Sequence, residues 1–326
     1  MLIKDLSTHR QYIFVSVAIS LLLTLLSLAF HLDHAVGVVG SGEEAISAWH
    51  IGKVAGSALN FALLLAVGWG IFKANETFAI SRHRSNLPYI FYLLLAFTNP
   101  TAQSFTSATL VAAAFIVAIV LLFYAYQRQP ASEQSFWVGI IMGLLSLFWS
   151  KGLLYVPLFI FGLWFMRSLT GRSVIAMILG LLTPFWLQFA FLFFMGSPIP
   201  TGYVADALTG FDIADILRLG LAQQLNLLLT LLTAVFASGY ILAYNLHEKV
   251  RTQAYLSFVV LLAFASGIFS LLDTANLAGH LAVLTISTAI AAANVFIRMA
   301  QKPATILFVL LVVSYVSTFI YSLWSF

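Results

Sequence analysis

The first polar segment of the chain brings carboxylates and imidazoles close together. It contains His31-Leu-Asp33-His34, and Glu43 and Glu44 follow after a glycine-rich stretch. A carboxylate can bind a hard cation such as Mg²⁺ or Mn²⁺, or act as a general base. We therefore take Asp33 as the first candidate catalytic residue and Glu43 as the second. The candidate ligands of a divalent cation are Asp33, His34 and Glu44.

Two of these residue groups also have structural interpretations. Ser41-x-x-Glu44 matches a capping box, in which the serine and the glutamate start a helix by accepting its first amide protons. His31 and His34 can be residues of the membrane interface. The sequence leaves both the structural and the chemical interpretation open.

A polar stripe continues from this segment along one helical face. Its members are three or four residues apart, which places them on the same side of a helix. Such a stripe must face protein or water, so it either lines a cavity or joins two helices through hydrogen bonds. His50 and Lys53 are candidate substrate-binding residues within it. The stripe consists of Glu43, Ser47, His50, Lys53, Ser57 and Asn60.

Lys151 and Arg218 are the other candidate substrate-binding residues. Each can contact a lipid phosphate at the membrane boundary, or serve as an anchor whose charged end reaches water. Near Arg218, Asp212 and Asp215 fit the first turn of a short helix.

The composition decides which elements must position these residues. The chain has 326 residues, of which 62% are hydrophobic and 8% charged, and its mean hydropathy is +1.02. So few charges exclude a soluble globule, a disordered chain and a nucleic-acid-binding protein. The absence of Cys excludes disulfides and thiolate chemistry. The expected environment is a lipid bilayer, with no nucleic-acid partner.

The apolar runs predict an all-α, polytopic transmembrane bundle with about eleven spans. A span needs about 20 apolar residues, and the runs 87–99, 136–150 and 153–166 are shorter. We expect one integral membrane domain over 1–326, with outside loops at about 31–50 and 196–218 and no soluble domain. The full set of runs is 12–30, 51–73, 87–99, 104–126, 136–150, 153–166, 173–195, 219–244, 254–272, 277–297 and 304–323.

The charges predict an orientation. With a cytoplasmic N-terminus and eleven crossings, all of the 15 basic residues except Lys53, Lys151 and Arg218 fall inside. This distribution obeys the positive-inside rule. The outside face then gathers most of the acidic and imidazole groups, which makes it the expected place of a site. These groups are Asp33, Glu43, Glu44, Asp206, Asp212, Asp215, Asp273, His31, His34, His50 and His280.

Residues 99–195 resemble the middle of a known enzyme family. Asn99-Pro100 opens a span of small residues, a glycine-rich span ends in Trp-Ser-Lys151-Gly, and Leu-Thr-Pro184 follows a basic loop. This pattern is similar to that of the GT-C glycosyltransferases, polytopic enzymes that use polyprenyl-phosphate sugars. It also resembles an uncharacterised Bacteroidota family of multi-span proteins related to that fold.

The resemblance implies a function and a location. A GT-C-like enzyme carries an essential acid in its first extracytoplasmic loop, which here corresponds to Asp33 or to Glu43 and Glu44, and the lysine of the middle motif corresponds to Lys151. The implied reaction transfers a sugar from a polyprenyl-phosphate donor to an extracytoplasmic acceptor, at the bacterial inner membrane. Two departures are Gly152 in place of a proline and the absence of a C-terminal soluble domain, so we expect a partner protein to supply the acceptor. The alternatives are a non-catalytic scaffold of an envelope complex and a transporter or flippase of lipid-linked substrates.

Overall fold

The computed structural model shows a bundle of helices. It describes residues 6–9, 11–30, 52–81, 85–102, 104–196, 202–209, 211, 216, 219–244 and 248–324. No strand occurs among these residues. The all-helical, multi-pass prediction is confirmed, because eight of the helices are long and apolar enough to cross a membrane.

The long helices follow one another with short helices between them. The long ones are α1 (Gln11–Ala29), α2 (Lys53–Phe78), α4 (Ser107–Tyr124), α7 (Gly171–Met195), α9 (Leu221–Tyr244), α10 (Val250–Leu272), α11 (Leu277–Arg298) and α12 (Gln301–Trp324). The shorter ones are α3 (Leu87–Phe97), α5 (Ser132–Phe148), α6 (Val156–Phe165) and α8 (Tyr203–Leu208). The apolar helices α3, α5 and α6 coincide with the three runs that are too short for a full span. The number of crossings therefore stays a prediction.

Among the described residues, 3-10 turns join several of the helices. Pro100–Ala102 lies between α3 and α4, Ser150–Tyr155 joins α5 to α6, and Thr274–Asn276 joins α10 to α11. Proline at the start of a helix lacks an amide hydrogen that the helix would leave unpaired, and Pro157 occupies this place in α6. At the third connection the Asp273 side chain accepts a hydrogen bond from the amide of Asn276 and caps the turn.

Side-chain contacts define two ends of the bundle. At the first, which we call the Lys151 end, Lys151 lies beside Asp273, and Asn60 donates a hydrogen bond to the carbonyl of Ala102. At the opposite end, which we call the Arg298 end, Arg298 pairs with Glu248 at 3.3 Å. Helices that run in alternating directions produce this arrangement.

Helix α11 occupies the centre of the bundle. In the apolar part of α11 that is long enough to cross a membrane, 89% of the residues are buried, against 17% in the corresponding parts of α1 and α7. It packs against α3, α4, α9 and α10. Both of its ends therefore lie in protein surroundings, which matters for the polar groups at its start.

Helices α5 and α7 pack with their backbones in contact. A Cβ atom built on Gly139 would lie 2.1 Å from the carbonyl oxygen of Met177, and one on Gly180 would lie 2.1 Å from that of Phe136. Only glycine permits this approach, which is common between membrane helices. The pair fixes the direction of α5 and hence the position of Lys151 just beyond its end.

Candidate functional site

A group of polar side chains is buried at the Lys151 end, where α5 and α10 both stop. We call Lys151, Tyr155, Asp273, Asn276 and His280 the Lys151 cluster. Lys151 and Tyr155 come from the 3-10 turn after α5, Asp273 and Asn276 come from the connection after α10, and His280 lies in the first turn of α11. The ends of separate helices thus place one cation, one carboxylate and one imidazole together.

Asp273 is the centre of the cluster. Its side chain is 0% exposed, and Oδ2 lies 3.3 Å from Lys151 Nζ and 3.4 Å from His280 Nε2. Asn276 donates from its amide nitrogen to Oδ1 and from Nδ2 to both carboxylate oxygens, at 3.1 to 3.2 Å. A buried carboxylate is tolerated when it is paired and hydrogen-bonded, and Asp273 meets both conditions.

Asp273 is ionised at neutral pH. Burial raises the pKa of its carboxyl, but the hydrogen bonds from His280 and Asn276 and the charge of Lys151 act in the opposite direction, and the net pKa is lowered from the usual 3.8. Since the folded pKa is the lower one, the stability that Asp273 provides is present above its usual pKa. It is lost as the pH falls through the folded pKa.

Lys151 is held from several directions. Its side chain is 3% exposed, and besides Asp273 its ammonium group donates to the carbonyls of Ala207 and Thr209. Its Nζ atom lies 4.3 Å from the centre of the Phe211 ring, a cation–π contact. The segment that contains α8 therefore covers the ammonium group on the side away from the bundle.

His280 connects the carboxylate to a phenol. Its Nδ1 atom lies 2.8 Å from the hydroxyl of Tyr155, and its Nε2 atom faces Asp273. A neutral imidazole that donates a hydrogen bond from Nε2 to the carboxylate accepts a hydrogen bond at Nδ1 from the Tyr155 hydroxyl. Trp149 packs against the imidazole, with ring centres 5.0 Å apart. His280 therefore links the phenol of Tyr155 to the carboxylate of Asp273 inside the bundle.

Several candidate residues from the sequence lie outside the described part of the chain. Asp33, His34, Glu43, Glu44 and His50 belong to the segment 31–51, and Arg218 also lies beyond the described residues. Lys53 is the first residue of α2, so it begins a helix at the Lys151 end. The structure therefore brings Lys151 into a site but does not test the other candidates.

The lower part of the polar stripe lies in the described part of α2. Ser57 and Asn60 are buried, and Asn60 accepts a hydrogen bond from the hydroxyl of Thr109 at 2.6 Å. Together with its bond to the Ala102 carbonyl, this contact ties α2 to the start of α4. The sequence analysis left open whether the stripe lines a cavity or joins two helices through hydrogen bonds. The contacts of Asn60 are of the second kind.

A separate cleft opens between α2, α3, α4 and α11. It has an empty volume of about 330 Å³ including its mouth, and no charged side chain lines it. Ala278 and Ala282 face the cleft, whereas His280 points to the opposite side of α11. The cleft is therefore distinct from the Lys151 cluster.

The sequence interpretation placed Asp273 and His280 on the same face as Lys151 but did not pair them with it. Their spacing contains a usable signal, because Asp273, Asn276 and His280 are three and four residues apart at the start of a span. That spacing puts a carboxylate, an amide and an imidazole on one helical face. Tyr155 carries no comparable signal, since a tyrosine in an aromatic-rich chain is usually a packing residue.

No group of three metal-ligating side chains occurs among the residues that the structure describes. The predicted ligands Asp33, His34 and Glu44 lie outside that part of the chain, so the divalent cation stays a prediction. Comparisons of the chain with protein-family models and with curated proteins find no match.

Proposed function

We propose that this chain is a GT-C-like integral membrane glycosyltransferase that takes a sugar from a polyprenyl-phosphate donor. One observation carries the proposal. Lys151 is the basic residue at the end of the GT-C-like motif, and it lies beside the Asp273 carboxylate. The contact is made where the connection after α5 meets the connection after α10. A cation placed next to a membrane surface is suited to the phosphate of a lipid-linked donor.

In this proposal the Lys151 cluster holds and orients the phosphate-binding cation. Asp273 and the carbonyls of Ala207 and Thr209 fix the ammonium group, so a donor phosphate meets a positioned charge. Binding of the phosphate replaces the contacts made by the α8 segment. The departing phosphate is then stabilised by Lys151 as the bond to the sugar breaks.

The acceptor side of the reaction is assigned to the segment that follows α1. Asp33, with Glu43 as the second candidate, takes the proton from the acceptor hydroxyl as that oxygen attacks the anomeric carbon. His50, Lys53 and Arg218 are the further substrate-binding candidates. A divalent cation held by Asp33, His34 and Glu44 would add positive charge for the phosphate, and a partner protein would supply the acceptor.

The orientation belongs to the same proposal. The Lys151 end faces the extracytoplasmic side of a bacterial inner membrane, and the N-terminus lies in the cytoplasm. Support comes from the charges at the Arg298 end, which has Arg128, Arg167, Arg172, Lys249, Arg251, Arg298 and Lys302 within or next to it. A cytoplasmic Arg298 end satisfies the positive-inside rule.

A complementation experiment tests the assignment of the base. In a strain that lacks the gene, wild-type protein should restore the normal glycans, whereas Asp33→Asn should not, although its abundance in the membrane is unchanged. Glu43→Gln is the second test, and Asp206→Asn, which changes an exposed acid in α8, is the matched control. Full complementation by both Asp33→Asn and Glu43→Gln contradicts the assignment.

A non-catalytic scaffold of an envelope complex is the second candidate, and the burial of Lys151 favours it. A cation that is 3% exposed and paired can serve to fix the packing of helices alone. The double variant Lys151→Met, Asp273→Asn separates the two candidates because it removes both charges together. A scaffold keeps its function in this variant, whereas the transferase loses its phosphate-binding cation and stops transferring sugar.

A further inference from the structure

A second cationic group lies at the Arg298 end and plays no part in the proposed transfer. It is built around Arg251, in the first turn of α10, and we call Arg251, Lys249, Arg128 and Arg167 the Arg251 cluster. All four residues are exposed. Among the described residues none of the four forms an ion pair, and the nearby Glu248 pairs with Arg298 instead.

The guanidinium of Arg251 is held by aromatic rings. Its Nε atom donates to the hydroxyl of Tyr255 at 2.6 Å, and its Cζ atom lies 5.5 Å from the Tyr255 ring centre, 5.7 Å from that of Tyr126 and 6.0 Å from that of Phe78. Tyr255 itself stacks on Phe123 with ring centres 4.4 Å apart. The hydrogen bond to Tyr255 uses Nε. The two terminal nitrogens can then donate to a ligand, and their spacing matches that of two phosphate oxygens.

Two loops beside these aromatic rings carry Arg128 and Arg167, and hydrogen bonds join the two loops. The amide of Gln127 donates to the carbonyl of Met166 at 2.9 Å, and the Gln129 side chain donates to the carbonyl of Arg167 at 3.1 Å. Arg128 lies within the first of these loops, two residues after Tyr126. The loops therefore present Arg128 and Arg167 at the same end of the bundle as Arg251.

The surroundings define the ligand. The cluster lies where apolar helices end, so an anion that binds there meets lipid-facing surface on one side and water on the other. Exposed neighbours on the helices include the apolar Val250 and Tyr124. A phosphodiester with attached acyl chains can contact the cations with its phosphate and the apolar side chains with its acyl chains, whereas a small soluble anion can contact only the cations.

We propose that the Arg251 cluster binds the phosphodiester headgroup of an anionic phospholipid. Arg251 supplies a fixed, two-pronged contact to the phosphate, and Arg128, Arg167 and Lys249 supply further positive charge. Glu133, an exposed acid in the first turn of α5, is the acidic side chain that follows the Arg128 loop, and it limits the net positive charge on that side. The inference is independent of the transferase proposal, because it uses the opposite end of the bundle.

Lipid retention measured by native mass spectrometry tests the proposal. Full-length protein is purified and exposed to phosphatidylglycerol or to phosphatidylcholine. The wild type should retain phosphatidylglycerol in preference to phosphatidylcholine, and Arg251→Gln should weaken that retention about tenfold, as expected for loss of one charge-assisted contact. Arg172→Gln is the matched control, since Arg172 is an exposed arginine of the same end and makes no cation–π contact with the rings that the structure describes.

Further arms separate lipid from free phosphate and keep the test valid if one variant misfolds. Millimolar inorganic phosphate should not displace phosphatidylglycerol from the wild type. Arg251→Lys keeps the charge but loses the two-pronged contact, so its retention should fall between those of wild type and Arg251→Gln. Equal retention in the wild type, Arg251→Gln and Arg251→Lys overturns the proposal, as does equal retention of the two lipids or displacement by phosphate.

Discussion

At the scale of single residues, the decisive feature is the pairing of Lys151 with Asp273, both of them buried. Each charge is tolerable because the other is present, and Asn276 and His280 complete the hydrogen bonds of the carboxylate. Removing one partner leaves a buried charge without compensation, which usually costs about 3–5 kcal/mol, whereas removing both charges together is often close to neutral.

The pairing predicts a non-additive pair of substitutions. Lys151→Met should destabilise the protein by about 3–5 kcal/mol, because it leaves the Asp273 carboxylate buried without its cation. Adding Asp273→Asn should restore most of that loss, because the substitution replaces the unpaired carboxylate with a neutral amide. Thermal unfolding in detergent measures both variants, with Lys302→Met at the Arg298 end as the control. Additive losses in the double variant would mean that the two charges do not stabilise one another.

At the scale of the helices, the sequence was most informative about the spans and least informative about the contacts between them. Apolar runs located the helices because a membrane requires about 20 apolar residues per span. The glycine-rich span that contains Gly139 was visible in the sequence, but the helix that it touches depends on the packing of α5 and α7. Likewise, the pairing of Lys151 joins residues more than 120 positions apart, and no local pattern specifies such a pair.

The packing of α5 on α7 gives a prediction at this scale. Gly180→Ala should separate the two helices, since the new methyl group would lie 2.1 Å from the Phe136 carbonyl, and a loss of about 1–3 kcal/mol is typical of overpacking. Gly239→Ala in α9 is the control, because nothing lies within 4 Å of the added carbon. Unfolding in detergent should show a loss in the first variant alone. Equal stability of the two variants would rule out the close contact.

At the scale of the whole molecule, two chemically different ends are separated by an apolar bundle. The Arg298 end is basic, and the Lys151 end contains paired, buried polar groups. The sequence indicated this asymmetry through the positions of its 15 basic residues. It could not indicate that Lys151 is shielded by Ala207 and Thr209, because that contact requires the chain after α7 to return over the end of α5.

The asymmetry predicts the orientation in the membrane. The chain has no cysteine, so single cysteines can be introduced without background. In intact cells whose outer barrier is permeable to the reagent, a membrane-impermeant maleimide should label Asp206→Cys and should not label Arg172→Cys until the inner membrane is opened. Labelling of Arg172→Cys in intact cells would reverse the proposed orientation.

The most direct measurement of the central claim is the level of lipid-linked sugar in cells with and without this protein. A strain that lacks the gene should accumulate a polyprenyl-phosphate sugar, detected by mass spectrometry of its lipid extract, and should lose the glycan that receives that sugar. Wild-type protein should reverse both changes, and the Lys151→Met, Asp273→Asn variant should reverse neither while it is present at normal abundance. Unchanged lipid-linked sugars and glycans in the deletion strain would contradict the transferase proposal.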